Sequence, residues 1–193
     1  MDRFKAANKA SVFGIIGNIF LLIIKGIIGL FTNSSAMLAD AFNSASDILS
    51  SIMTYIGNRV ASKEADEDHN LGHGKAEYIY SMLISITMMV LGITILIDSI
   101  KAIINPNKFH FTIWLVIVCL VTILVKLSLY LYTRTIGKKY NNLLVEANSK
   151  DHRNDILITS TNLIAAIFSL FGFYLIIHHF PLQSQYYLLT LFE

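Results

Sequence analysis

The stretch SVFGIIGNIFLLIIKGIIGLF, residues 11–31, is apolar throughout except for a few small or polar positions, of which Asn18 and Lys25 are the most polar. It has the roughly 20 residues that a helix needs to cross the hydrocarbon core of a bilayer. Three further runs have the same character: residues 78–97 and 156–180 carry no charge, and residues 111–132 are interrupted by one charge, at Lys126. Continuous apolar runs predict spanning helices rather than the alternating strands of a membrane barrel.

A fifth segment, AMLADAFNSASDILSSIMTYIGNRVA at residues 36–61, is long enough to span but contains Asp40, Asn43 and Asp47. An ionisable group at membrane depth costs a few kcal/mol, so such groups normally face a protein interior. The segment is therefore predicted to be a spanning helix with one polar face, which hydropathy alone scores weakly. The predicted fold is all-α, a polytopic transmembrane helical bundle with five spans near residues 11–31, 36–60, 78–98, 111–132 and 150–179.

Composition supports a membrane protein and excludes other classes. Apolar residues make up 54% of the chain, charged residues make up 15%, and the mean hydropathy is +0.59. A soluble domain carries about 25% charged residues. The net charge of +2 gives no reason to expect a nucleic-acid partner, and the single cysteine, Cys119, cannot form a disulfide within the chain.

The distribution of basic residues predicts the orientation. Eleven of the 15 lysines and arginines lie in three regions, residues 1–10, 59–75 and 133–153, which five spans place on one side of the membrane. The positive-inside rule puts that side and the N-terminus in the cytoplasm. The expected location is a plasma membrane, in contact with lipid, in a bacterium. Lys25 and Lys126 fall within spans, where each either extends to an interface or pairs with a buried acid.

Two pairs of oxygen ligands recur with the same spacing. Asn43 and Asp47 are four residues apart in the second span, and Asp151 and Asp155 are four residues apart in the fifth. Residues at this spacing lie about 40° apart around a helix, on one face. Brought together, the two faces would supply four side-chain donors around one point. Asp40 shares the face of its helix and is expected either to support the site or to make a structural contact.

Three carboxylates in a low-dielectric site repel each other unless protons or a cation join them. Carboxylate and amide oxygens suit Mn²⁺, Mg²⁺, Ca²⁺ or Fe²⁺ better than Zn²⁺, which usually takes histidine or cysteine. Exchange of a metal for protons on the same carboxylates would couple the two flows. The alternative is a set of hydrogen bonds that hold the helices together.

A second cluster lies in the connection between the second and third spans, where Asp66, His69 and His73 could bind a metal near the membrane surface. The alternative is a solvated turn, in which Gly72 and Gly74 provide conformations that other residues rarely adopt. The sequence by itself leaves both interpretations open.

Three segments, SSAMLADAFNSASDILSS, DEDHNLGHGKAE and KDHRNDILITS, resemble signature segments of the cation diffusion facilitator family, in the family's order and spacing, over residues 5–180. The resemblance implies a homodimeric metal/proton antiporter whose transport site uses the positions matching Asn43, Asp47, Asp151 and Asp155. It also implies a second site at those matching Asp66, His69 and His73. Zinc carriers have histidine at one or both of the positions matching Asn43 and Asp151. This chain therefore resembles the manganese branch, with iron, zinc or cobalt (Fe²⁺, Zn²⁺, Co²⁺) as alternative cargo.

One departure concerns the end of the chain. The resemblance implies a sixth helix and a cytoplasmic domain after residue 180, whereas residues 181–193 form a short divergent tail. Residues 1–180 are expected to form the transmembrane domain, truncated before its sixth helix, with the C-terminus outside. The alternative function is that of a non-transporting fragment that at most associates with a full-length relative.

An enzyme is not expected. The sequence contains no Ser–His–Asp arrangement, no HExxH motif and no phosphate-binding loop. His152 is adjacent to Asp151, but one residue along a helix turns it about 100° from the acidic face. A structural or interfacial role is therefore expected for it.

Overall fold

The described residues form five long helices, which confirms the all-α prediction. In the computed structural model these are α1 (Arg3–Phe31), α2 (Ser35–Ala61), α3 (Ala76–Ile104), α4 (Ile113–Tyr140) and α5 (Leu143–His179). The part of the chain that the structure describes comprises residues 3–33, 35–64, 72–104 and 113–179, and it contains no strand. The predicted tail at residues 181–193 lies outside the described residues.

The outward faces of the helices are apolar, as expected of a bundle in lipid. Ile23, Leu124 and Phe168 are among many large apolar side chains that are more than half exposed. Within the described residues, α1, α4 and the segment Ala76–Thr94 of α3 are long and apolar enough to cross a membrane. The segment α2 is not among them, in agreement with its predicted weak hydropathy. The chain is an integral membrane protein.

Small and polar residues line the inside of the bundle. Ala6, Ala7 and Ala10 on α1 are buried, as are Ser44, Ser51 and Thr54 on α2. A methyl group added at Gly14 would lie 2.8 Å from the Ser51 hydroxyl oxygen, which shows how closely α1 approaches α2. Because lipid tails are as apolar as leucine, close packing of small side chains and interhelical hydrogen bonds associate such helices.

The break between α4 and α5 is only two residues long, shorter than the connection that the sequence predicts. Asn141 adopts a positive φ of 48°, and the Asn142 side chain accepts a hydrogen bond from the Val145 amide at 3.0 Å. This is the geometry of a helix N-cap, so α5 begins at Leu143. Hydropathy detects the apolar part of a helix and misses the turns that extend past it. For this reason Asp151 lies two turns inside α5 rather than at its start.

A polar network joins the helices at the end that the sequence predicts to be cytoplasmic. The Arg3 guanidinium donates to both carboxylate oxygens of Glu77 at 2.8 Å and to the Tyr140 carbonyl at 3.0 Å. Glu77 also accepts a hydrogen bond from the Leu143 amide at 2.6 Å. Asn58 on α2 donates to Asn8 on α1 at 2.7 Å. These contacts fix the start of α5, and with it the height of its acidic residues.

Candidate metal site

Three of the four predicted ligands come together in the bundle. Each of Asp47, Asp151 and Asp155 offers a carboxylate oxygen, and these oxygens all lie within 4.8 Å of one another. The three residues are 1%, 4% and 8% exposed, so the cluster is buried. The face of α2 and the face of α5 therefore meet as the four-residue spacing predicts.

Asn43, the fourth predicted ligand, lies at the edge of the cluster. It is half-buried, and with Asp151 and Asp155 it lines a cavity of about 270 Å³. Met88, Leu91 and Gly92 of α3 form part of the wall of that cavity. The carboxylate cluster is thus reached from a space between α2, α3 and α5, and Asn43 borders that space.

A lysine of α4 sits against the cluster. The Lys126 ammonium is 2.7 Å from Asp47 Oδ2 and 2.6 Å from Asp155 Oδ2. Lys126 is 1% exposed. Of the two sequence-based interpretations of this residue, pairing with buried acids is correct and extension to an interface is wrong.

Lys25 is also buried, but its partners differ. Its ammonium is 2.9 Å from Asp40 Oδ2 and donates to the Ser44 hydroxyl at 3.1 Å. Asp40 therefore contacts Lys25, and it does not belong to the three-carboxylate cluster. Its carboxylate side chain is 34% exposed, much more than that of Asp47. A supporting role for Asp40 stays a prediction.

The charged groups of this region have a net formal charge of two negative units, which a dication would neutralise. Four aspartates, residues 40, 47, 151 and 155, face two lysines, residues 25 and 126. With all six groups ionised this region carries two excess negative charges, which cost free energy in a buried environment. An ion with metal–oxygen bonds of about 2.0–2.6 Å holds its ligands about 3–5 Å apart, and the cluster has that spacing.

Of the two polar residues of α4 near the site, the sequence predicted Lys126 only as one of two alternatives, and it did not predict Thr122. Thr122 and Lys126, one turn apart on α4, line a small cavity together with Thr159 of α5. The signal that could have found them is the polar pair at four-residue spacing in an otherwise apolar span. The apolar residues of α4 are spread over every face, so the apolar pattern by itself does not identify the inward side.

His152 is completely buried rather than interfacial. Neither of its ring nitrogens has a hydrogen-bond partner within the described chain, and the same holds for the side chain of Asn148. The structure therefore places two further polar groups inside the bundle, one turn apart on α5: Asn148 lies on the face of Asp151 and Asp155, and His152 lies to one side of it.

The predicted loop site is only partly visible. Asp66 and His69 lie outside the described residues. His73 lies just before α3, where its Nδ1 atom is 3.3 Å from the Glu64 carbonyl oxygen. A metal site at these three residues stays a prediction.

Comparison with known proteins identifies the domain. Residues 11–182 match the cation efflux transmembrane domain. The chain is 35% identical over 137 residues to the magnetosome protein MamM of Magnetospirillum gryphiswaldense, covering 70% of this chain and 43% of MamM. It is 29% and 30% identical, over 172 residues each, to the manganese efflux system proteins MneP and MneS of Bacillus subtilis. These two matches cover 89% and 88% of this chain, and 57% and 59% of the relatives. The chain spans about half the length of the curated relatives it matches.

Proposed function

The chain belongs to the cation efflux family, and on this premise we propose that it exports a divalent metal ion, with Mn²⁺ as the main substrate, from the cytoplasm in exchange for protons. The observation that carries the proposal is the buried cluster of Asp47, Asp151 and Asp155, whose carboxylate oxygens lie within 4.8 Å of one another. A cluster of three carboxylates away from water is costly unless it serves to bind a cation.

The choice of Mn²⁺ is supported by the ligand atoms. The ligand atoms of the proposed site are all oxygens, supplied by Asn43, Asp47, Asp151 and Asp155. Oxygen ligands favour Mn²⁺, whereas Zn²⁺ prefers the softer nitrogen and sulfur ligands. Two of the relatives are named as manganese efflux proteins. Fe²⁺, Co²⁺ and Zn²⁺ are the next candidates.

Proton exchange is supported by the chemistry of the same groups. When the metal leaves, a carboxylate in a low-dielectric site keeps an uncompensated negative charge. A proton is the smallest group that can neutralise this charge. We further propose a homodimer in a bacterial plasma membrane with the N-terminus in the cytoplasm. The distribution of lysine and arginine supports this orientation.

The proposal is tested by reconstituting the purified chain into liposomes that contain a fluorescent pH indicator. Addition of Mn²⁺ outside is expected to move manganese in and protons out, so the pH of the lumen should rise. Protein-free liposomes are the control. Manganese uptake that leaves the luminal pH unchanged would remove the proton from the proposal, and the absence of uptake would contradict it altogether.

A change of one ligand is expected to alter the metal preference. Replacing Asp151 by histidine puts a nitrogen donor into the cluster, so the ratio of Zn²⁺ to Mn²⁺ uptake should rise about tenfold or more. Uptake of both ions into proteoliposomes measures this ratio. The matched control is Asp40→His, which adds the same side chain outside the cluster and should change the ratio much less. An equal ratio in Asp151→His and wild type would show that ligand softness does not select the metal.

A further inference from the structure

We propose that the Lys126 ammonium is a tethered cation of the metal site, which a divalent ion must displace from Asp47 and Asp155 in order to bind. Lys126 would then determine how much charge an ion needs to enter. This inference rests on the proposed function and adds a specificity-determining residue to it.

The first step is the position of the ammonium. Lys126 Nζ lies 2.7 Å from Asp47 Oδ2 and 2.6 Å from Asp155 Oδ2, the oxygens of two members of the three-carboxylate cluster. An ion bound to the same two oxygens, with bonds of about 2.2 Å, would lie within about 4 Å of Nζ on any side. The single charge of the ammonium and the double charge of the ion repel strongly at that separation in a buried site. The ammonium and a dication therefore compete for these oxygens.

The second step is that the ammonium has somewhere to go. The small cavity beside Lys126 is also lined by Thr122, Thr159 and Asp40. Thr122 lies one turn earlier on α4, and its buried hydroxyl has no hydrogen-bond partner in the described part of the chain. The lysine stem has four carbons and can rotate. The displaced ammonium can therefore move toward the Thr122 hydroxyl and keep its charge inside the bundle.

The third step concerns selectivity. A monovalent ion that displaces the ammonium replaces one charge by an equal charge, so the electrostatic gain is small. A dication adds one further unit of charge to a cluster of carboxylates and gains much more. A built-in monovalent cation thus excludes Na⁺ and K⁺ without a size filter.

A purely structural ion pair makes the opposite prediction. If Lys126 only ties α4 to α2 and α5, its removal leaves buried carboxylates unpaired, which loosens the site and weakens metal binding. If Lys126 competes with the metal, its removal strengthens binding. The sign of the change in affinity distinguishes the two.

The test uses the purified full chain in detergent and equilibrium dialysis with radioactive manganese. Lys126→Met is expected to bind Mn²⁺ at least about tenfold more tightly than wild type, and this binding should be weakened by Na⁺ at concentrations that do not affect wild type. Lys126→Arg keeps a cation and should bind less tightly than Lys126→Met. The matched control is Lys25→Met, which removes a buried lysine whose partner lies outside the cluster and should change the affinity less than about threefold.

Equal or weaker binding by a folded Lys126→Met protein overturns the inference. If that variant does not elute as a folded species, the structure of the wild-type chain with Mn²⁺ bound decides. Nζ more than about 4 Å from both carboxylates supports displacement, and Nζ still within about 3 Å of both overturns it. Binding that requires Asp47 but is not strengthened by Lys126→Met refutes the inference and leaves the proposed function intact. No binding by any form refutes both.

Discussion

Replacing Asp47 or Asp155 by asparagine is expected to reduce manganese export to the background level. Each change keeps the size of the side chain and removes one of three buried carboxylates that lie within 4.8 Å of one another. In either variant a dication would be surrounded by two carboxylates and a lysine. Its positive charge would be balanced by one negative charge fewer than in wild type. At the effective dielectric constant of protein sites, one carboxylate charge about 4 Å from a dication contributes about 8 kcal/mol before any rearrangement, so its loss should weaken transport at least about a hundredfold.

The measurement is growth in toxic Mn²⁺ of cells that lack their own manganese exporter, with protein levels compared by immunoblot. Wild type should protect, and Asp47→Asn and Asp155→Asn should not. Asp40→Asn is the matched comparison, because it makes the same change on α2 two turns before Asp47, at a carboxylate that contacts Lys25 at 2.9 Å. It should retain most of the protection. Equal protection by the Asp47→Asn variant and by wild type would show that the cluster is not a working transport site.

The acidic residues of the site could be predicted because their geometry is local. A spacing of four residues fixes two side chains on one face of a helix whatever the helix packs against. Asp151 and Asp155 on one helix therefore had to point together, and the cost of burying acids in lipid required that face to turn inward. The structure accordingly brings both residues to Asp47.

The sequence left two interpretations of Lys126 open, and it could not identify the acids that Lys126 contacts, because these depend on the rotation of α4 about its axis. That helix is apolar on most of its circumference, so its sequence pattern does not favour one inward face. The packing of α4 against α5 and α1 decides that Lys126 points at Asp47 and Asp155. The Arg3–Glu77 contact was equally out of reach, since it joins residues 74 positions apart at helix ends that hydropathy does not locate.

Gly57→Ala is expected to destabilise the bundle. Gly57 is buried on α2, and a methyl group added there would lie 2.5 Å from Cγ and 2.6 Å from Cβ of Tyr80 on α3. Rotation of the tyrosine ring cannot move its Cβ atom, so the two helices must separate. Overpacking of this kind typically costs about 1–3 kcal/mol. We expect a decrease of several degrees in the midpoint of thermal unfolding.

The matched control is Gly26→Ala on α1, another glycine within a predicted span, where an added methyl group meets no atom within 4 Å. Alanine is more favourable than glycine in a helix by about 0.8–1.0 kcal/mol, so this variant should be as stable as wild type or more so. Thermal unfolding in detergent, followed by circular dichroism at equal protein concentration, measures both. Because helix propensity favours alanine in each case, a lower midpoint for Gly57→Ala alone isolates the contact with Tyr80. Equal midpoints for the two variants would show that α2 and α3 are not in close contact at Gly57. The same contact between the two helices places Asn43 opposite the α3 wall of the cavity.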